Sequence, residues 1–138
     1  MVEPKEEKRR FSRIFFSLAD GVAGTFTFAN LLKGTLRAYI INLSEGGVGL
    51  VFPKEKNEIK IEKGEALILT QISGIQGLER LMNIETEIKW ILDNPSLEFL
   101  GFGCEFLRMP EPLQAHLRSF IASWCSGKIG SRSRGGHY

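Results

Sequence analysis

The sequence predicts a mostly β protein, a small antiparallel barrel or sandwich of six or seven strands with one helix after it. Three observations predict this fold class. Runs of β-branched and aromatic residues recur with period-two alternation between Ile14 and Phe106, the mark of half-buried strands. Brief clusters rich in Gly, Asn, Asp and Pro separate those runs, so the connections are short. Past Pro112 the apolar rhythm lengthens from two to about 3.6 residues, the repeat of a helix.

Taken in order, Val2–Lys8 is polar, contains Pro4 and lacks periodicity, which predicts a mobile lead-in running into the basic cluster Arg9-Arg10-Phe11-Ser12-Arg13. Strand character begins at Ile14, with Phe15, Phe16 and Leu18. It pauses at Asp20-Gly21 and returns in Thr25-Phe26-Thr27-Phe28, where the two phenylalanines are expected inside. Lys33-Gly34 forms a turn. Leu31 and Leu32, just before it, are either a contact surface for a partner or a second copy, or core residues, the commoner fate of leucine. From Thr35 to Ile41, Leu36, Ala38 and Ile40 share one face, and Arg37, Tyr39 and Ile41 the other. Val48–Phe52 is a short strand stopped by Pro53, and Lys54–Lys63 a charged connection. Ala66–Ile72 alternates and Ser73–Gly77 turns the chain. In the next strand Ile84, Thr86, Ile88, Trp90 and Leu92 are expected on one face, opposite Glu85, Glu87 and Lys89. Asp93-Asn94-Pro95-Ser96 is a turn, and Leu100, Phe102, Cys104 and Phe106 then alternate with Gly101, Gly103 and Glu105. Leu113, Leu117, Phe120, Ile121 and Trp124 make one helical stripe that must cover the β body, with Gly127 as its stop.

A chain of 138 residues with 43% hydrophobic and 25% charged residues is sized and composed for one globular domain. It holds no apolar run of roughly 18 residues that would predict a membrane span. Its charged start, Met1–Arg10, lacks the apolar centre of a secretory signal, which predicts a cytoplasmic protein. The net charge of +2 is unevenly spread: residues 1–13 carry +2, residues 126–138 carry +3 and the middle −3. A mildly acidic body with basic ends argues against a surface for long nucleic acid. Cys104 and Cys125 lack CxxC spacing and have only His116 and His137 for company, which argues against a metal site. Both cysteines are expected to be small buried apolar residues, and His116, off the apolar stripe, is expected to be exposed.

Two stretches carry chemistry. Arg9 and Arg13 fit the spacing RxxxR. Arginine alone offers a planar fork of donors to phosphate oxygens or the O6/N7 edge of guanine, and it also stacks on a base. The other reading of this cluster is a solvated basic lead-in. Asn42 and Ser44 in Asn42-Leu43-Ser44-Glu45-Gly46-Gly47-Val48-Gly49 alternate along a strand end, so both project to one side where an amide and a hydroxyl could meet a base edge. Gly46, Gly47 and Gly49 allow positive φ and close backbone approach. Alternatively, Asn42 and Ser44 bond their own turn and the glycines serve its geometry.

Lys8–Arg13 (RxxxR), Asn42–Gly47 as (D/N)xSxxG, the late Gly101–Phe106 strand and the terminal helix together resemble a PilZ domain over about residues 8–125. That resemblance implies a six-stranded antiparallel PilZ-type β-barrel with a C-terminal α-helix, while composition predicts a flexible lead-in (1–7) before it and a flexible basic tail (126–138) after it. The resemblance also implies a bacterial receptor for the second messenger cyclic di-GMP, with no catalytic or metal residues and no cofactor beyond that ligand, and with motility and biofilm as outputs. By motif position it assigns Arg9 and Arg13 to guanine and phosphate, and Asn42, Ser44 and Gly47 to a base-recognising turn. Arg10 and Gly46 complete the candidate set. The arginine segment is expected to order over the nucleotide and so change the surface shown to an unidentified downstream protein, with a homodimer as a further option. Three rivals remain: a PilZ-like adaptor that binds no nucleotide, a small flavin-binding barrel enzyme, and a nucleic-acid-binding barrel favoured by the basic tails alone. No paired carboxylates and no nucleophile with a placed base support the enzyme.

Overall fold

The strands follow from the alternation in the sequence and close on themselves. In the computed structural model, which describes residues 12–54 and 60–126, they are β1 (Arg13–Phe15), β2 (Ala23–Phe28), β3 (Thr35–Ser44), β4 (Gly47–Pro53), β5 (Ala66–Ser73), β6 (Ile84–Leu92) and β7 (Phe99–Arg108), followed by helix α1 (Glu111–Cys125). Arg9 and Arg10, the lead-in, the glycine stop at Gly127 and the rest of the tail lie outside the described residues.

Six strands pair antiparallel in the order β3-β2-β5-β6-β7-β4, and β4 returns to β3. Closure leaves this set without a free edge. β1 adds itself beside the far half of β3, Arg13 opposite Ser44 and Phe15 opposite Asn42, where β2 no longer runs. The arginine-bearing strand is thereby laid against the strand end that carries the second motif.

Inside, the predicted alternation holds through most strands: Phe26, Phe28, Leu36, Ala38, Ile40, Leu50, Phe52, Leu67, Leu69 and Phe102 are buried. Phe102 meets Phe26 and Phe52 edge-on, with centroids 6.4 and 5.9 Å away, an arrangement that adds about 0.5–1.5 kcal/mol per pair beyond area burial. α1 buries Leu117, Phe120, Ile121 and Trp124. Trp124 packs edge-on against Phe16, 5.4 Å away, so the helix sits against the chain just after β1.

Three expectations need correction. Leu31 and Leu32 are not core: they are 76% and 96% exposed on a 3₁₀ turn. Asn30 Oδ1 accepts from the Leu32 N–H at 3.1 Å, while Lys33 folds back to Glu65, to the Lys60 carbonyl and over the Phe28 ring. The lysine stem therefore takes the inward place and the leucines point away. His116 is half-buried and not free, because the loop after β5 passes along the helix and brings the Gly77 carbonyl within 2.6 Å of its Nε2. Cys125 is exposed at the end of α1, unlike buried Cys104.

Candidate functional site

The β3–β4 hairpin is fastened from three sides. Ser44 Oγ accepts from the Gly46 N–H at 3.1 Å, the Gly46 carbonyl accepts from the Phe106 N–H of β7 at 2.9 Å, and Glu45 pairs with Arg118 of α1 at 3.2 Å. Ser44 thus bonds its own turn, one of the two roles open to it from sequence. Gly46, Gly47 and Gly49 are not among the residues with positive φ, so left-handed backbone is not their purpose. Close approach is: a Cβ on Gly47 would collide with the Cys104 carbonyl, and one on Gly49 would come within 2.5 Å of Asn42 Nδ2.

Arg13 Nη1 donates to Asn42 Oδ1 at 2.8 Å. The first and second motifs, 29 residues apart, are therefore in contact. Along the outer wall Asn42 pairs with Gly49 and Gly49 with Gly103, and Gly103 pairs with Trp90. The Asn42 amide lies across one glycine and the Trp90 indole fills the space above the other. The two bare glycines form the floor between them, in an open cleft of about 580 Å³ whose lining includes Arg13, Ser44, Gly46 and Gly47.

Trp90 was expected inside; it is 44% exposed, and Leu92 is exposed as well. The cause is a β-bulge between Ile88 and Trp90: Ile88 opposes Cys104 and Trp90 opposes Gly103, leaving Lys89 as the extra residue. A bulge re-aims every later side chain. Ile91 packs against the core in place of Trp90, and Lys89 and Trp90 both face the cleft. Sequence reading also missed Glu105 as a lining residue. The available signal was Gly103, since a glycine inside a strand marks a close approach.

Charge in the cleft is mixed. Lys89 Nζ lies 3.3 Å from Glu105 and 3.6 Å from Glu87, and the hydrogen bond to Glu105 above all holds its ammonium above the ordinary lysine range. Burial pushes the Cys104 thiol up to about 12, against the opposing hydrogen bond from Thr86, so this residue contributes shape and not nucleophilicity. Among the described residues no group of three His, Cys, Asp or Glu could hold a metal ion. No helix among them is long and apolar enough to cross a membrane.

The chain is thus a closed six-stranded antiparallel β-barrel with a C-terminal helix, carrying an arginine and an Asn-x-Ser-x-x-Gly turn on one outer cleft. The family described as PilZ domain matches residues 7–123, and the chain belongs to it. Among solved structures it is similar to the inhibitor of motility MotI/DgrA of Bacillus subtilis, with a TM-score of 0.62, 19% identity, and 88% of this chain and 53% of that one covered. It is also similar to YcgR of Escherichia coli in complex with c-di-GMP (TM-score 0.62, 18% identity, 94% and 50% covered). The PilZ domain with c-di-GMP of YcgR is a third (TM-score 0.58, 17% identity, 88% and 99% covered). Likeness at these identities is one of fold. The chain spans about half the length of MotI/DgrA and of the longer YcgR chain. No curated protein matches it.

Proposed function

We propose that this chain is a receptor for cyclic di-GMP, not an enzyme, and that the nucleotide lies in the cleft over Gly49 and Gly103. The observation that carries this reading is the convergence of Arg13, Asn42, Ser44, Gly46 and Gly47 on one cleft with an exposed indole beside it. A dianionic ring with two purines needs guanidinium forks, a polar edge and a stacking face. Arg13 offers the fork, Asn42 the edge and Trp90 the face. Arg9 and Arg10, outside the described residues, would add phosphate and guanine contacts as the segment folds over the ligand. Membership of the PilZ family and the c-di-GMP complexes of YcgR support the choice of ligand.

The ordered segment would change the surface presented to a downstream protein and so report the messenger's level. A ligand shifts such an equilibrium only by its differential affinity for the ordered state, so the arginine contacts must be made mainly there. Isothermal titration of cyclic di-GMP into the protein and into an Arg9→Ala/Arg13→Ala variant, with GTP as control, tests the site. We expect saturable binding that falls by about 100-fold or more in the variant, since hydrogen bonds to charged groups contribute about 1.5–3 kcal/mol each. Absence of heat and of thermal stabilisation would leave the second reading, an adaptor that binds no nucleotide, which the outward Leu31 and Leu32 favour.

A further inference from the structure

A site for a dianion should not contain a free carboxylate, yet Glu105 lines this cleft. Its neighbours explain how it is held there. Glu105 and Gly103 are two residues apart on one outward face of β7, so the carboxylate stands beside the Trp90 indole that covers Gly103. On the neighbouring strand β4 it opposes Gly47, which has no side chain to cover it. Its charge is met by Lys89, the bulged residue of β6, which Glu87 also contacts. A lysine shared between two carboxylates at the rim of an anion site can be exchanged: it turns to an arriving phosphate, and one carboxylate is released toward the ligand.

A released carboxylate can only accept hydrogen bonds. Guanine presents two adjacent donors on its Watson–Crick edge, N1–H and the N2 amine, and these match the two oxygens of a carboxylate. Adenine presents a bare N1 acceptor at that place, which a carboxylate repels. We propose that Glu105 is the guanine-selecting residue of the cleft, accepting from N1–H and the N2 amine of a base stacked on Trp90 while Lys89 turns to a ligand phosphate. The inference rests on the cyclic di-GMP reading and adds the purine choice to it. Selection of this kind needs a repulsive element against the wrong base as well as an attraction for the right one, and a carboxylate supplies both.

The test compares cyclic di-GMP with cyclic di-IMP, the same molecule without its N2 amines, on the unaltered protein and on Glu105→Gln and Lys89→Ala. The unaltered protein should prefer cyclic di-GMP by at least about tenfold. In Glu105→Gln that ratio should collapse toward one, with cyclic di-GMP losing more than cyclic di-IMP, which shares only the N1–H contact. Lys89→Ala should weaken both nucleotides alike, and unchanged affinity there would overturn the lysine's half of the exchange. If Glu105 serves only to hold Lys89, Glu105→Gln will shift both nucleotides equally and leave the ratio intact. That outcome overturns the selection while the receptor reading stands. Failure of the unaltered, folded protein to bind cyclic di-GMP at all overturns both.

Discussion

Cys104 and Cys125 have the same chemistry and opposite surroundings, one buried in β7 and one exposed at the end of α1. Thiol reactivity follows the thiolate and access to it. An alkylating reagent at mild alkaline pH should therefore modify Cys125 in the folded protein and reach Cys104 only after denaturant is added, a difference that mass spectrometry reads directly. The same burial makes Cys104 a source of alkaline instability. Its thiol ionises near 12 in the fold against an ordinary value of 9.0, so between those limits the unfolded chain releases a proton that the folded chain keeps. Stability is then lost as pH rises, by up to about 1.4 kcal/mol per pH unit from this group. Thermal melts from pH 8 to 11 should show the advantage of the native protein over Cys104→Ala narrowing with pH, and a constant gap would contradict the assignment. Alternation placed Cys104 correctly within its strand. Cys125 departs from the general tendency of cysteine to be buried because it stands at a helix end, where Leu117, Phe120, Ile121 and Trp124 already fill the core-facing stripe.

Regular elements were the legible part of this chain. The β2 and β3 alternation, the turns at Lys33-Gly34 and Asn94-Pro95, and the stripe of α1 all stand where periodicity put them. The stripe allows a direct check: Leu117→Ala removes a fully buried side chain at the centre of the helix interface and should cost about 2–5 kcal/mol in chemical denaturation, whereas Ala115→Ser on the exposed side should change little. β6 was the element misread. Strict alternation from Ile84 carried Trp90 and Leu92 inward, and the one-residue bulge at Lys89 reversed both. A bulge arises from the mismatch between two strands, not from either strand alone, so its place was not visible in β6. The candidate site divides along the same line. Arg13, Asn42, Ser44, Gly46 and Gly47 were read from two local motifs, while Lys89, Trp90 and Glu105 reach the cleft only through strand pairing across β6 and β7. Gly103→Val should push the indole off its seat, because any Cβ there overlaps the ring. We expect it to weaken nucleotide binding more than it lowers the melting temperature, with titration and thermal melts on the same sample as the check.

Two contacts join the edge of the cleft to α1. Glu45, in the turn between Ser44 and Gly46, holds Arg118. Phe16, three residues beyond Arg13, packs against Trp124. A nucleotide that fixed Arg13 and the turn would brace the helix at two points, Arg118 and Trp124, one electrostatic and one apolar. The ion pair is half-exposed, with Arg118 53% accessible, so by itself it contributes no more than about 1 kcal/mol to stability. Its use would be to transmit and not to stabilise, and that separates the two contributions experimentally. Amide exchange at saturating cyclic di-GMP should slow across residues 5–14 and also across residues 117–125. In Arg118→Ala the slowing at 5–14 should persist while that in the helix next to residue 118 shrinks, with the melting temperature nearly unchanged. In Phe16→Ala both should diminish, because loss of the aromatic contact also loosens the strand that carries Arg13. Protection confined to residues 5–14 in the unaltered protein would mean that the ligand orders its own binding segment without informing the helix, and a downstream partner would then have to recognise the ordered segment itself. Protection absent from 5–14 despite tight binding would remove the ordering relay altogether and leave the cleft as a rigid receptor.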